Sequence, residues 1–195
     1  MTENYTLENY INELVELNLS VIQPLRTLGV DGADHITDYG AQILTGVTEE
    51  YLEVVIELQR SEVDPERVKL ELGDMLAYIT LSVIGYVWSG DAKKLGYAKE
   101  GAYQMMSDVV EQWLLEEGDE EERGVDPVKT GRALAGNAKR FFRGDFDLNF
   151  EFMVISFLEL LGATNLDITD VAKANIEKLT ARLASKGTFK GSGNR

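Results

Sequence analysis

Two pairs of acidic residues flank a strong helix-start signal and share one spacing. The acids are Glu50, Glu53, Glu71 and Asp74, three residues apart within each pair. Between the pairs stands Asp64-Pro65, which is typical of a helix start: aspartate suits the N-cap, and proline at the first helical position leaves no N–H unpaired. Both flanking segments have helical apolar periodicity, so the sequence predicts an antiparallel helix hairpin.

The four acids lie at similar heights on this predicted hairpin. With a rise of about 1.5 Å per residue, Glu53 lies about 12 Å from the turn and Glu71 about 9 Å, while Glu50 and Asp74 lie about 16 and 13 Å away. Residues three apart share a helix face, so the pairs converge if those faces meet. Clustered carboxylates take up protons or bind a cation. Oxygen ligands suit a hard ion, so the predicted metal is Mg²⁺, with Mn²⁺ as a substitute.

The alternative is that these acids form a solvated helix face of an acidic protein. The surrounding composition opposes this, because apolar residues occupy most other positions of both segments. These residues are Leu52, Val54, Val55, Ile56, Leu58, Leu70, Leu72, Met75, Leu76 and Ile79. We therefore expect the acids to lie among core residues rather than all on the surface.

Length and charge narrow the functional classes. A chain of 195 residues predicts a single domain spanning 1–195. The net charge of −15 argues against binding polymeric nucleic acid, although a small phosphorylated ligand carried with metal remains compatible. The acidic N-terminal segment is unlike a signal peptide and no apolar run of transmembrane length is expected, which favours a cytoplasmic protein without membrane contact.

The scarcity of histidine and cysteine excludes several chemistries. There is no cysteine, so disulfide frameworks, zinc-finger spacing and thiol nucleophiles are excluded. His35 is the only histidine, which excludes the di-iron bundle with its two Glu-x-x-His motifs and argues against Ser-His-Asp catalysis. Because His35 precedes a predicted helix, a capping or surface role is expected for it.

Helical periodicity extends over nearly the whole chain and predicts an all-α fold. Helices are predicted at 6–28 (kinked or broken at Pro24), 34–46, 47–61, 65–89, 91–116, 127–143, 147–161 and 168–186. Glycines 90, 144, 162 and 187 are expected at helix C-terminal caps. No sustained alternation predicts a strand. The acidic stretch 116–124 is predicted to be a solvated loop, and the Gly-rich 187–195 a flexible tail or an arm that orders on an anionic ligand.

Two motifs resemble those of one enzyme family. The E-E-x-x-E of Glu49, Glu50 and Glu53, followed by the E-x-x-D of Glu71 and Asp74, resembles the signature of MazG nucleoside triphosphate pyrophosphohydrolases. Their all-α superfamily includes dimeric dUTPases and phosphoribosyl-ATP pyrophosphatase. A-N-I-E-K-L-T-A-R (174–182) is similar to the family's N-x-x-K-L-x-x-R helix, and 187–195 to the tails of phage-type members, which often carry an acid absent here.

This resemblance implies Mg²⁺-dependent cleavage of (d)NTPs between the α- and β-phosphates, with the four acids as metal ligands. Glu49 or Glu50 would orient the attacking water. Asn175 and Lys178, with Arg182, are candidates for holding phosphates; the alternative for the cations is compensation of the helix dipole. Tyr78 either stacks on a base or is a core residue. The resemblance also implies a homodimer or higher homo-oligomer.

The two motifs are farther apart than in a single-module family member. Aligning 134–148 with 44–55 places Arg140 on Glu50 and Arg143 on Glu53. This suggests a catalytic module at 34–90 followed by a degenerate module at 127–186; the alternative is chance similarity of amphipathic helices. Other functions left open are a narrower superfamily enzyme, dUTPase-like or phosphoribosyl-ATP-cleaving, and a metal- or nucleotide-binding regulatory protein without turnover.

Overall fold

Helices make up most of this computed structural model. The structure describes residues 5–28, 34–88, 94–116, 126–141 and 147–186. The elements in chain order are α1 (Leu7–Asn18), β1 (Arg26–Leu28), β2 (Asp34–Ile36), α2 (Asp38–Leu58), α3 (Pro65–Val87), α4 (Leu95–Glu116), α5 (Pro127–Phe141), α6 (Asp147–Thr164) and α7 (Ile168–Lys186). The predicted all-α class is confirmed, with one small two-stranded addition.

The helix hairpin around Asp64 is present and forms the centre of the molecule. The Asp64 carboxylate accepts hydrogen bonds from the backbone N–H groups of Glu66 and Arg67 at 3.1 and 3.3 Å, and Pro65 begins α3. Around α3 pack α1, α2, α4, α6 and α7. Its fully buried core positions include Leu72, Met75, Leu76, Ile79 and Ile84.

α3 combines an apolar composition with a buried position. Contrary to the expectation from sequence, Pro65–Val87 is long and apolar enough to cross a membrane by length and composition. However, 72% of that apolar window is buried inside the protein. The core position of α3 therefore accounts for its hydropathy.

The prediction of a helix over 6–28 is wrong beyond residue 18. α1 ends at Asn18, and 26–28 instead pairs antiparallel with 34–36, so the expectation of no strands is also wrong in detail. Pro24 cannot continue a helical hydrogen-bond ladder. Leu25 bonds elsewhere: its N–H donates to the Gly85 carbonyl, and its own carbonyl accepts from the Thr37 N–H, both at 2.9 Å. Strands of three residues are too short to show alternation in sequence.

The predicted helices 34–46 and 47–61 are one helix, α2, which begins at Asp38. Its N-cap is Thr37, whose hydroxyl oxygen accepts from the Gly40 N–H at 3.0 Å. His35 lies in β2, so the capping role expected for it is wrong, and the alternative surface role stays a prediction. Gly46 lies inside α2 where the ring of Tyr78 packs closely, since a Cβ there would come within 2.6 Å of that ring.

The bounds of the later helices agree better with those predicted from the sequence. α7 has the predicted bounds, and α4 and α5 lie within theirs. α6 extends past Gly162 to Thr164, so the cap predicted at Gly162 is wrong; the left-handed residue after α6 is Asn165, with φ of 54°. The other three glycines predicted at caps, together with 117–125 and 187–195, lie outside the described residues.

The second half of the chain packs against the first. α5 packs on α6 and α2, burying Thr130, Leu134 and Asn137. Arg140 is on the exposed side of α5, and Arg143 lies outside the described residues. The internal-repeat interpretation therefore stays a prediction.

Candidate metal centre

The α2–α3 hairpin brings three of the four predicted acids together. One carboxylate oxygen each of Glu50, Glu53 and Glu71 lies within 4.8 Å of the other two. We call these three residues the carboxylate cluster. Its members come from both arms of the hairpin, as the matched heights of the two pairs predicted.

The predicted apolar surroundings hold for α3 and only partly for α2. Glu71 is buried, whereas Glu50 and Glu53 are half-buried. On α2, Leu52 and Ile56 are 51% and 57% exposed, so they are not the core residues that composition suggested. The carboxylate cluster thus lies at the boundary between the core and the solvent.

Glu50 is the most perturbed acid of the carboxylate cluster. Burial, followed by the negative charges of Asp74, Glu71 and Glu53, raises the pKa of Glu50 to about 8, and Lys178 opposes the shift. Burial also raises the pKa of Glu71, against the opposing charges of Lys178 and Arg67. Without a bound cation, Glu50 therefore holds a proton at neutral pH.

Asp74 lies next to the carboxylate cluster but has its own partners on α7. Its two oxygens accept from the Asn175 amide (Nδ2 to Oδ1, 2.8 Å) and from the Lys178 ammonium (Nζ to Oδ2, 2.6 Å). The same Nζ lies 3.9 Å from Glu71. Gly73 permits this approach of α7, because a Cβ there would meet the Asn175 Cβ at 2.8 Å. The motif at 174–182 on α7 thus contacts the E-x-x-D motif on α3.

Tyr10 of α1 also belongs to this arrangement, although no sequence pattern indicated it. Its hydroxyl donates to Oδ1 of Asn175 at 3.3 Å, and both side chains are fully buried. Tyr10 and Asn175 are separated by 165 positions in the chain. Local spacing carries no information about a contact of that range.

A buried ion-pair group extends the acidic face of α2. Glu57 is 1% exposed, and its Oε2 lies 3.1 Å from Nε of Arg67 and 3.2 Å from Nη1 of Arg60. Arg67 also reaches Glu71, at 3.7 Å. The Oε1 of Glu57 is buried without a hydrogen-bond partner in the described part of the chain. Glu57 follows Glu53 by four residues, a helical spacing that would have placed it on the same face.

The remaining predicted residues surround the carboxylate cluster at different depths. Tyr78 is partly buried; burial raises its pKa, as do the charges of Glu50, Asp74 and Glu49, and Arg182 lowers it. Glu49 and Arg182 are exposed. All of the predicted site residues therefore lie in one region, built from α2, α3 and α7.

The donor set fits a hard divalent ion. Three carboxylates converge, and oxygen ligands of this kind suit such an ion. Burial and neighbouring carboxylates raise the pKa of Glu50, which means that its ionised form is unfavourable there. A bound cation would offset that electrostatic cost. No protein-family model, curated protein or solved structure matches this chain. The fold and the site together define an all-α protein with an acidic cluster capable of binding metal.

Proposed function

We propose that this protein is a Mg²⁺-dependent, MazG-like pyrophosphohydrolase that cleaves (d)NTPs to (d)NMPs and pyrophosphate. The proposal rests mainly on the convergence of Glu50, Glu53 and Glu71 within 4.8 Å. This arrangement would let the acids of the two family-like motifs, E-E-x-x-E and E-x-x-D, bind one metal ion together. The contacts of Lys178 and Asn175 with Asp74 add the second motif to the same place. The reaction class itself rests on the resemblance.

In this proposal the carboxylate cluster holds the metal, with Asp74 beside it. Bound Mg²⁺ would neutralise phosphate oxygens and acidify a water for attack. Of the two candidates for orienting that water, Glu50 is favoured over Glu49, since a Glu50 oxygen lies in the carboxylate cluster whereas Glu49 is exposed. The metal-free proton on Glu50 leaves when a cation takes its place.

The triphosphate would lie on the α7 side of the carboxylate cluster. Lys178 is the best candidate for a phosphate contact, since it is the cation closest to Asp74 and its side chain is 18% exposed. Arg182 is exposed one turn further along α7. Asn175 is fully buried behind Asp74, and its contacts favour orienting that carboxylate over touching a phosphate. Tyr78 stays the candidate for stacking on the base, since the charges of Glu50 and Asp74 raise its pKa, although its ring also packs against Gly46 and the core.

The direct test is a screen of the standard NTPs and dNTPs with Mg²⁺, measuring pyrophosphate and inorganic phosphate separately. We expect pyrophosphate and nucleoside monophosphate in equal amounts and no phosphate. Release of phosphate alone would contradict the proposed bond cleavage. Metal binding without any turnover would instead support the regulatory alternative.

Glu53→Gln provides the matched variant for this assay. It removes one charge of the carboxylate cluster, so turnover should fall at least about 100-fold, since changing only the outer partners of a metal site typically costs 10–100-fold. The control is Glu62→Gln, the same chemical change at an exposed position between α2 and α3, which should retain wild-type activity. Near-normal turnover of Glu53→Gln would remove it from the site.

A further inference from the structure

A buried hydrogen-bond chain connects α1 to Asp74 through Asn175. The Tyr10 hydroxyl donates to Oδ1 of Asn175, and Nδ2 of the same amide donates to Oδ1 of Asp74 at 2.8 Å. Tyr10 and Asn175 each have no exposed surface. Three helices thus contribute to the orientation of one carboxylate at the edge of the carboxylate cluster.

The chain has a fixed direction. An amide group offers an acceptor at its oxygen and donors at its nitrogen. The Asp74 carboxylate can only accept, so the amide nitrogen faces Asp74 and the amide oxygen accepts from the Tyr10 hydroxyl. Burial raises the pKa of Tyr10 well above its ordinary value, so its hydroxyl keeps the proton that it donates. Without the hydroxyl, the amide oxygen would be buried without this donor.

We infer that Tyr10 is a positioning residue for the metal centre, acting on Asp74 through the Asn175 amide. This inference rests on the proposed function, because it assigns Tyr10 a role in the metal site of that function. Partners behind a ligand fix its orientation and tune metal affinity. Tyr10 stands one bond further out than a direct partner of Asp74, so its contribution should be smaller than that of Asn175.

The test compares Tyr10→Phe with Tyr5→Phe by calorimetric titration of the full-length protein with Mn²⁺ alone. Both variants remove one tyrosine hydroxyl from the N-terminal part of the protein, in or just before α1. The Tyr5 hydroxyl, however, donates to Glu13 and not to the Asn175 amide. Tyr10→Phe should weaken Mn²⁺ binding roughly three- to tenfold, below the 10–100-fold typical of direct outer partners. Tyr5→Phe should bind as the wild type does.

A double-mutant cycle separates positioning from general destabilisation. In an Asp74→Asn background, Tyr10→Phe should cause no further loss of Mn²⁺ affinity, because the carboxylate it positions is absent. Asn175→Ser provides a second background, in which the connecting amide is removed, with circular dichroism confirming that each variant is folded. A full Tyr10→Phe effect in either background would overturn the inference, as would equal Mn²⁺ affinity of Tyr10→Phe and Tyr5→Phe.

The outcomes also separate this inference from the proposed function. Mn²⁺ binding that depends on Tyr10, without turnover of any nucleotide, would support the positioning role and contradict the enzyme. Turnover and Mn²⁺ binding that ignore Tyr10 would support the enzyme and overturn the positioning role. Absence of Mn²⁺ binding by the wild type would overturn both.

Discussion

Glu50 and Asp74 lie in the same acidic site but in opposite electrostatic settings. Asp74 accepts from an amide at 2.8 Å and from an ammonium at 2.6 Å, both supplied by α7. Burial and three carboxylates raise the pKa of Glu50, and Lys178 opposes that shift. Asp74 is therefore stabilised by partners within the protein, whereas Glu50 requires a proton or a cation from solution.

This difference makes the two acids respond oppositely to loss of charge. On sequence alone, Glu53→Gln or Asp74→Asn relieves repulsion among the acids and leaves the metal-free protein intact or more stable. The structure keeps that expectation for the α2 acids. It reverses the expectation for Asp74, since its neutralisation leaves the Lys178 ammonium without its closest carboxylate.

The largest expected effect is thus an opposite change in metal-free stability. Asp74→Asn should lower the free energy of unfolding by about 1.5–3 kcal/mol, the range for losing a hydrogen bond to a charged group. Glu50→Gln should raise it. Urea unfolding in the presence of a chelator measures both, with Glu62→Gln as the control that leaves stability unchanged. A higher free energy of unfolding for Asp74→Asn would show that its α7 partners do not stabilise the Asp74 carboxylate.

The pH dependence provides the next test. The folded state holds the Glu50 proton up to a pKa of about 8 instead of 4.5, so between these values the folded state binds more protons than the unfolded one. Metal-free stability should therefore fall as pH rises through this window. Metal affinity should rise in the same window, because the cation replaces the proton.

Calorimetry with Mn²⁺ below pH 8 measures the second half of this prediction. For one displaced proton the affinity should increase about tenfold per pH unit below the pKa. Glu50→Gln has no such proton, so its weaker binding should change little with pH. A wild-type affinity that is flat between about pH 6.5 and 7.5 would show that Glu50 is ionised before the metal binds.

How far sequence predicts this molecule depends on the range of the interaction. The hairpin, the start of α3 and the convergence of Glu50, Glu53 and Glu71 follow from local spacing, and all are found. The prediction of a helix through residue 28 is wrong, and Leu25 instead hydrogen-bonds Gly85 and Thr37, which local spacing does not indicate. Tyr10 was missed for the same reason.

Composition was misleading where burial depends on one face of a helix. Leu52 and Ile56 suggested that α2 is apolar on most sides, but they are exposed. Conversely, Glu57 is a charged residue that is almost fully buried, since Arg60 and Arg67 accompany it. The sequence indicates which acids share one face of α2. Whether a positively charged side chain pairs with each acid depends on the tertiary packing, which local spacing does not give.

The smallest expected effect concerns Arg67, the arginine that lies beside Glu71 of the carboxylate cluster. Arg60 and Arg67 both contact Oε2 of Glu57, at 3.2 and 3.1 Å, but only Arg67 also reaches Glu71, at 3.7 Å. Either replacement leaves Glu57 with one arginine, so Arg60→Met and Arg67→Met should destabilise the fold to a similar degree. Their effects on the metal should differ.

Arg67→Met removes a positive charge that competes with the cation for Glu71, whereas Arg60→Met does not. Mn²⁺ affinity should therefore rise about two- to threefold in Arg67→Met, within the range of a partly exposed ion pair, and stay at the wild-type value in Arg60→Met. Parallel titrations at one ionic strength measure this, and the difference should shrink with added salt. If Arg67→Met instead weakened metal binding, Arg67 would orient Glu71 rather than compete for it, and the α3 acids would depend on two cations within the protein instead of one.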